Sequence, residues 1–347
     1  MTKPLRTPRD LADARLIAPE RIASLDAVAA RYAVAVSPAL ASLIDRDNAA
    51  DPIARQFVPS EAELRTLAEE RADPIGDNTH SPVPGIVHRH RDRVLFKAVN
   101  VCPVYCRFCF RRETVGPGGE NALSPAAFDT ALAYIASHPE IWEVILTGGD
   151  PLVLAPRRVA EISERLGAID HVKIVRWHTR VPVVEPERID DDMVAALLAP
   201  GATPWLALHA NHPREFSPAA RRAIARLAEA DITLVSQTVL LNGVNADADT
   251  LDALMRTFVE NRIKPYYLHH PDLAPGTSHF RVSIDDGLAL IRALRRRLSG
   301  LATPTYVLDI PGGYAKVALE SHNVEKIAEN RWRITDPEGR VHEYPPR

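Results

Sequence analysis

The chain's three cysteines, Cys102, Cys106 and Cys109, fall within eight residues of one another in the segment Asn100 to Arg112. Soft thiolates at this C-x3-C-x2-C spacing suit iron–sulfur clusters. Three of them hold three irons of a [4Fe–4S] cube and leave one iron open, which is a place to bind and reduce a cofactor rather than a plain electron relay. Three buried free thiols, or a zinc site completed by a histidine, are the other readings, although no histidine stands at finger-like spacing. An odd, clustered set is no disulfide framework and suits a reducing cytosol. Three further groups invite chemistry. Gly148-Gly149-Asp150 combines glycines that permit close backbone approach with a carboxylate that pairs an ammonium, yet alone reads as a turn. Lys316 follows the Gly-bearing loop Asp309 to Ala315, where partial desolvation would favour a neutral, nucleophilic amine, although by default a lysine is a solvated surface group. The run His88 to Arg93 holds Arg89 and Arg93, and by default is a solvated charged face.

These groups need elements to position them. Short β-rich runs recur at 94–99, 143–147, 172–178, 205–210, 233–240, 264–270 and 303–310, separated by amphipathic segments. Ser124-Pro125 and Ser217-Pro218 read as N-cap and first-turn pairs, and Val159, Ile162, Leu166 and Ile169 form one apolar face. Strands alternating with helices predict an α/β fold whose parallel sheet closes or curves into a full or partial (β/α) barrel. Chemistry in such barrels gathers at the carboxyl ends of strands. The cysteines follow the first run, Gly148 to Asp150 the second, Asp272 the sixth and Asp309 the seventh. Residues 1–93 read as a helical extension, with a capping box at Ser60 and Glu63 ahead of a helix over 61–72. The barrel spans 94–316, and 317–347 form a tail with a hairpin around Asp336 to Gly339. Of 347 residues 46% are hydrophobic and 25% charged, enough for a large core, and 42 Lys+Arg against 45 Asp+Glu leave a net charge of −3. No bulk field points to nucleic acid. The uncharged stretch Met193 to Pro213 is broken by Pro200, Gly201 and Pro204, so no membrane span is expected, nor is a secretory leader expected from the charged first residues. A cytoplasmic enzyme is expected.

The cysteine segment, with an aromatic before its last cysteine, resembles the radical S-adenosylmethionine (SAM) superfamily, and the wider chain resembles its lysine 2,3-aminomutase family. The likeness runs from about Asp51 to Lys316 through blocks such as Ser81 to Gly85, Thr147 to Pro151, Thr179 to Pro182, Leu240 to Asn245, Pro265 to Tyr267 and Pro311 to Gly313. It implies a partial (β/α) barrel of the radical SAM type. It also implies a [4Fe–4S] cluster on Cys102, Cys106 and Cys109, with Gly148, Gly149 and Asp150 at the methionyl end of SAM. Lys316 would carry pyridoxal 5′-phosphate (PLP) as a Schiff base, with Arg89 and Arg93 near its phosphate. Arg111 would clamp the substrate carboxylate, and Asp272 and Asp309 would hold the distal ammonium of lysine. Gln237 and Asn242 lie in matching blocks without an assigned role. The implied activity is conversion of L-lysine to β-lysine, with an electron donor such as flavodoxin or ferredoxin and no nucleic-acid or membrane partner.

Alternatives implied by the same resemblance are β-lysine synthesis for elongation factor P modification and a different amino-acid substrate. A non-catalytic iron–sulfur protein leaves Lys316, Asp272 and Asp309 without a shared purpose, and the near-neutral charge and the absence of an auxiliary RNA-binding segment count against a PLP-free enzyme acting on RNA. No cysteine follows Cys109, so the zinc-binding extension of the long bacterial enzymes is not expected, nor its zinc-linked oligomer; a homo-oligomer of another kind stays open.

Overall fold

The computed structural model describes residues 3–116, 121–198, 200–320, 324–329, 331–335 and 339–344. Nine strands form one sheet in chain order: β1 (Ile86–His90), β2 (Arg93–Val99), β3 (Glu143–Gly148), β4 (Ile174–Thr179), β5 (Thr203–His209), β6 (Thr233–Val239), β7 (Lys264–His269), β8 (Thr305–Asp309) and β9 (Lys316–Ala318). β2 to β8 run parallel, while β1 and β9 add antiparallel strands at the two edges. The edges do not pair with each other, so the sheet curls into an open half-barrel. The expected partial barrel is therefore the observed architecture.

Period-2 alternation explains how the strands do two jobs at once. In β3, Val144 and Leu146 enter the core against the outer helices, whereas Glu143, Ile145 and Thr147 face a central cavity. In β4, Val175 and Trp177 face the core, and Arg176 and His178 the cavity. A parallel sheet covered on both faces ordinarily reads apolar throughout. Polar residues on the inner face mark it as a working surface. The crossover helices begin as their caps require. The side chains of Ser124 and Ser217 accept hydrogen bonds from the backbone amides of Ala127 and Ala220, each ahead of a first-turn proline. In the helix Pro156–Gly167, Val159, Ile162 and Leu166 are buried.

Two departures from the sequence reading concern the N-terminal section. The charged run at 88–93 forms the end of β1, the turn and the start of β2, because this hairpin gives the run a hydrogen-bonded edge rather than a solvated loop. The capping box at Ser60 and Glu63 forms, but the helix predicted over 61–72 is a single 3-10 turn, Glu61–Leu64. Leu64 is 42% exposed, so the segment has no apolar face to dock, and the buried Glu63 carboxylate is drawn inward by Arg107 and Arg112.

This ion triad ties the N-terminal section to the cysteine loop. Arg107 Nη2 donates to Glu63 Oε2 at 2.6 Å and Arg112 donates to the same oxygen, all three side chains being almost wholly buried. Burial pushes the Glu63 carboxyl up, but the two guanidinium charges prevail and hold it below its ordinary value. Glu63→Gln leaves two buried cations with no counter-ion, an expected loss of about 3–5 kcal/mol. Urea denaturation should show it as a lower midpoint at unchanged slope. An unmoved midpoint would count against the triad as an anchor.

Beyond the barrel, β10 (Val324–Ala328), β11 (Arg331–Thr335) and β12 (Val341–Tyr344) form a separate antiparallel sheet. Residues 336–338 of the expected hairpin lie outside the described residues; the flanking strands β11 and β12 pair antiparallel. Among the described residues no helix is long and apolar enough to cross a membrane.

Candidate active site

The loop after β2 carries the cysteines and is fastened from outside the barrel. Tyr105 N–H donates to Ala35 O and Arg107 N–H to Gln56 O, while Cys109 N–H closes a turn on Cys106 O. All three thiols are free and line one cavity of about 500 Å³. Burial pushes the Cys109 thiol up to about 11 and raises Cys102 and Cys106 as well, so three thiolates there call for a cation. Among the described residues no group of three or more His, Cys, Asp and Glu side chains forms a ready site for a single metal ion. Three thiol donors lining one cavity, with no nitrogen or carboxylate ligand gathered with them among the described residues, suit the soft irons of an iron–sulfur cluster.

The turn after β3 is built against that loop. Gly148 has φ +107°, and a Cβ on Gly149 would fall 2.2 Å from Val101 O, so glycine is required for this approach. Gly149 N–H donates to Val99 O at 2.7 Å and Asp150 N–H to Val101 O at 3.0 Å. The Asp150 carboxylate, also lining the cavity, accepts from Leu152 N, Thr179 Oγ1 and Arg180 N at 3.0, 2.7 and 2.7 Å. These bonds make it the clasp between the ends of β3 and β4.

Across the cavity, β8 and β9 pair so that Asp309 stands opposite Lys316. Lys316 Nζ donates to the Asp309 carboxylate and lies 3.3 Å from His269 Nδ1, which is itself 3.5 Å from Asp309 Oδ2. Burial disfavours the Asp309 carboxylate, but the contacts with His269 and Lys316 hold it well below the usual carboxylate range. Asp272 has the opposite character: burial and the negative charge of Asp309 push it up to about 7. The two aspartates are therefore unequal, one ionised and paired within the protein, the other half-protonated near neutrality.

Arg111 and Arg89 converge on a carboxylate that sequence reasoning missed. Asp77, 6% exposed, accepts from Arg111 Nε at 2.8 Å and from Arg89 Nη2 at 3.3 Å, with Lys97 Nζ at 3.7 Å. Arg111 Nη1 also donates to Thr147 Oγ1 at 3.2 Å. Arg93 sits at the rim, paired with its neighbour Asp92. Asp77 had no local signal, since its partners lie 12 to 34 residues away. All twelve residues given a role from the sequence line this one cavity, as does Gln237, whereas Asn242 does not. His178 and His209 line it too, and the buried Nε2 atom of each has no hydrogen-bond partner in the protein. Unsatisfied buried nitrogens facing a cavity of ligand size fit a polar cofactor.

The radical SAM superfamily profile matches residues 97–254. An L-lysine 2,3-aminomutase from Acetoanaerobium sticklandii is 37% identical over 311 residues, covering 90% of this chain and 75% of that protein. The chain belongs to the lysine 2,3-aminomutase family of the radical SAM superfamily. Among its other relatives, an L-lysine 2,3-aminomutase from Escherichia coli is 35% identical over 83% of this chain and 84% of that protein. A glutamate 2,3-aminomutase from Clostridioides difficile is 36% identical over 84% of this chain and 68% of that protein. As an aminomutase of this family the protein is an isomerase acting on an amino acid, with a [4Fe–4S] cluster and SAM as cofactors.

Proposed function

We propose that this aminomutase moves the amino group of L-lysine from carbon 2 to carbon 3, using PLP carried by Lys316. The observation that carries the reading is the pair of carboxylates, Asp272 and Asp309, in the same cavity as the Arg111 guanidinium. A guanidinium fork suits an α-carboxylate, and two carboxylates suit a distal ammonium. A glutamate side chain would instead bring a third negative charge to Asp272 and Asp309, which weighs against the glutamate activity named for one relative.

When bound, the cluster and SAM supply a hydrogen-abstracting carbon radical, and PLP supplies the conjugated system through which nitrogen migrates. The chain's own residues bind and orient. Cys102, Cys106 and Cys109 would ligate the cluster, and the backbone of Gly148 and Gly149 would meet the methionyl end of SAM. Arg89 and Arg93 would neutralise the PLP phosphate. Asp77 would hold the Arg111 fork by its Nε edge, leaving Nη2 for the substrate carboxylate. Asp309 and His269 keep the Lys316 amine on the cavity wall. A small electron-transfer protein such as flavodoxin or ferredoxin would deliver the electron.

Anaerobic incubation with SAM, PLP, reductant and either L-lysine or L-glutamate tests the substrate. β-Lysine as the main product supports the reading; β-glutamate removes it. Borohydride reduction of the PLP-loaded protein should add the cofactor mass to the Lys316 peptide alone, and labelling at another lysine would remove the role of Lys316.

A further inference from the structure

Arg180, the residue after β4, is 4% exposed and carries its charge into the wall behind the cysteine loop. Its Nη1 donates to Cys106 Sγ at 3.2 Å. Among the described residues, Cys106 is the one cysteine whose sulfur takes a side-chain hydrogen bond. The guanidinium has little freedom to leave. Nη2 donates to Gln56 Oε1 at 2.6 Å and to Glu215 Oε2 at 2.7 Å, and the backbone N–H of Arg180 is held by Asp150. Glu215 is fixed in turn, because its Oε1 accepts from the backbone of Asn211 and His212 and from Gln56 Nε2. Phe57 and Phe108 lie against the guanidinium at 4.7 and 5.5 Å from their ring centres. A single buried cation is thus shared between one carboxylate and one cysteine sulfur.

A fold that needed only to neutralise Glu215 has no reason to turn the other arm of the fork onto sulfur. We infer that Arg180 is a positioning residue for electron transfer, setting the reduction potential of the cluster through its hydrogen bond to Cys106. Reduction adds an electron to a cluster whose charge spreads onto its thiolates. A donor and a positive charge at one thiolate stabilise the reduced form more than the oxidised form, and so raise the potential. The low dielectric around Arg180 strengthens the effect. The inference rests on the assignment of the three cysteines to the cluster, which iron content tests separately.

The experiment compares reconstituted unaltered protein with Arg180→Gln and Arg180→Lys, reading iron and sulfide content and an EPR-monitored redox titration without SAM. Cluster-replete Arg180→Gln should show a reduction equilibrium constant about tenfold smaller, which for one electron is a potential about 59 mV more negative. Arg180→Lys, which keeps a cation but not the fork, should shift less. A merely structural role for Arg180 would alter cluster content and leave the potential of intact clusters in place. Because a variant of a buried arginine can fail to fold, a second reading uses the unaltered holoenzyme grown on guanidino-15N-arginine. Its reduced cluster should show 15N hyperfine coupling from a guanidinium nitrogen. Unchanged potentials in cluster-replete variants, or no 15N coupling in the labelled protein, overturn the inference. Unaltered protein that takes up no cluster overturns the cysteine assignment and this inference with it.

Discussion

Cys106→Ala is expected to take SAM cleavage below detection. Three thiolates leave a single open iron; with two, a second iron is exposed, and the cluster loses both its anchorage and its defined site for SAM. The loss should be chemical rather than conformational. The turn at Cys106 uses its carbonyl, which accepts from Cys109 N–H, and the loop is fastened by the backbones of Tyr105 and Arg107 and by the Glu63 triad. None of these contacts needs the thiol, which among the described residues accepts only from Arg180 Nη1. The metal-free variant should therefore stay folded and lose no more than about 1–3 kcal/mol in urea denaturation, the cost of that one unpaired buried donor, while its iron content after reconstitution falls and the SAM-dependent change in the reduced cluster's EPR signal disappears. Cys102→Ala and Cys109→Ala should behave alike. SAM cleavage at the unaltered rate by the cluster-reconstituted Cys106→Ala protein would remove the cysteine assignment.

The parts of this site that were legible in sequence are those encoded locally. Strands such as Glu143–Gly148 announce themselves by β-branched runs between turn residues, and the cysteine spacing states its own chemistry. Serine–proline pairs at 124–125 and 217–218 mark helix starts, because cap and first-turn preferences act within one turn of chain. What stayed hidden depends on partners distant in sequence. Glu63 sits in a capping box, which reads as a helix start; its role as counter-ion appears only when Arg107 and Arg112, 44 and 49 residues later, fold onto it. Arg180 meets Gln56 across 124 residues. Asp309 was legible as an acid at a strand end, but its pairing with Lys316 requires β9 to turn back antiparallel, and Lys316–Ala318 is too short to give a strand signal. Asp150 shows the same limit: its type is visible, but its engagement with Thr179 and Arg180 is not.

Asp272 and Asp309 should be separable by experiment because the protein treats them differently. Asp309 already faces Lys316 and His269, whereas Asp272 has its carboxyl raised to about 7 beside a negative neighbour. A substrate ammonium entering between them needs Asp272 ionised. Below about pH 7 that acid is mostly protonated, and binding must first release the proton. The kcat/KM for L-lysine should therefore climb as pH rises through about 7, by up to about tenfold per unit on the acid side. Asp272→Asn removes one of two carboxylates around a partly desolvated cation, a cost of about 3–5 kcal/mol and a loss of roughly 10²–10⁴-fold in kcat/KM. It should also flatten the acid limb of the pH profile, while borohydride labelling of Lys316 survives. Asp309→Asn should lose a similar factor and in addition disturb that labelling, since it takes away the carboxylate to which Lys316 Nζ donates. The double variant should cost less than the sum, because both acids serve one charge. L-Alanine, with no distal ammonium, should be a poor substrate and should not respond to Asp272→Asn. Full L-lysine activity in both single variants, or an acid limb that persists in Asp272→Asn, would mean that the ammonium is held elsewhere. The radical chemistry would be untouched by that result, since it depends on the opposite wall of the cavity, where the cysteines lie.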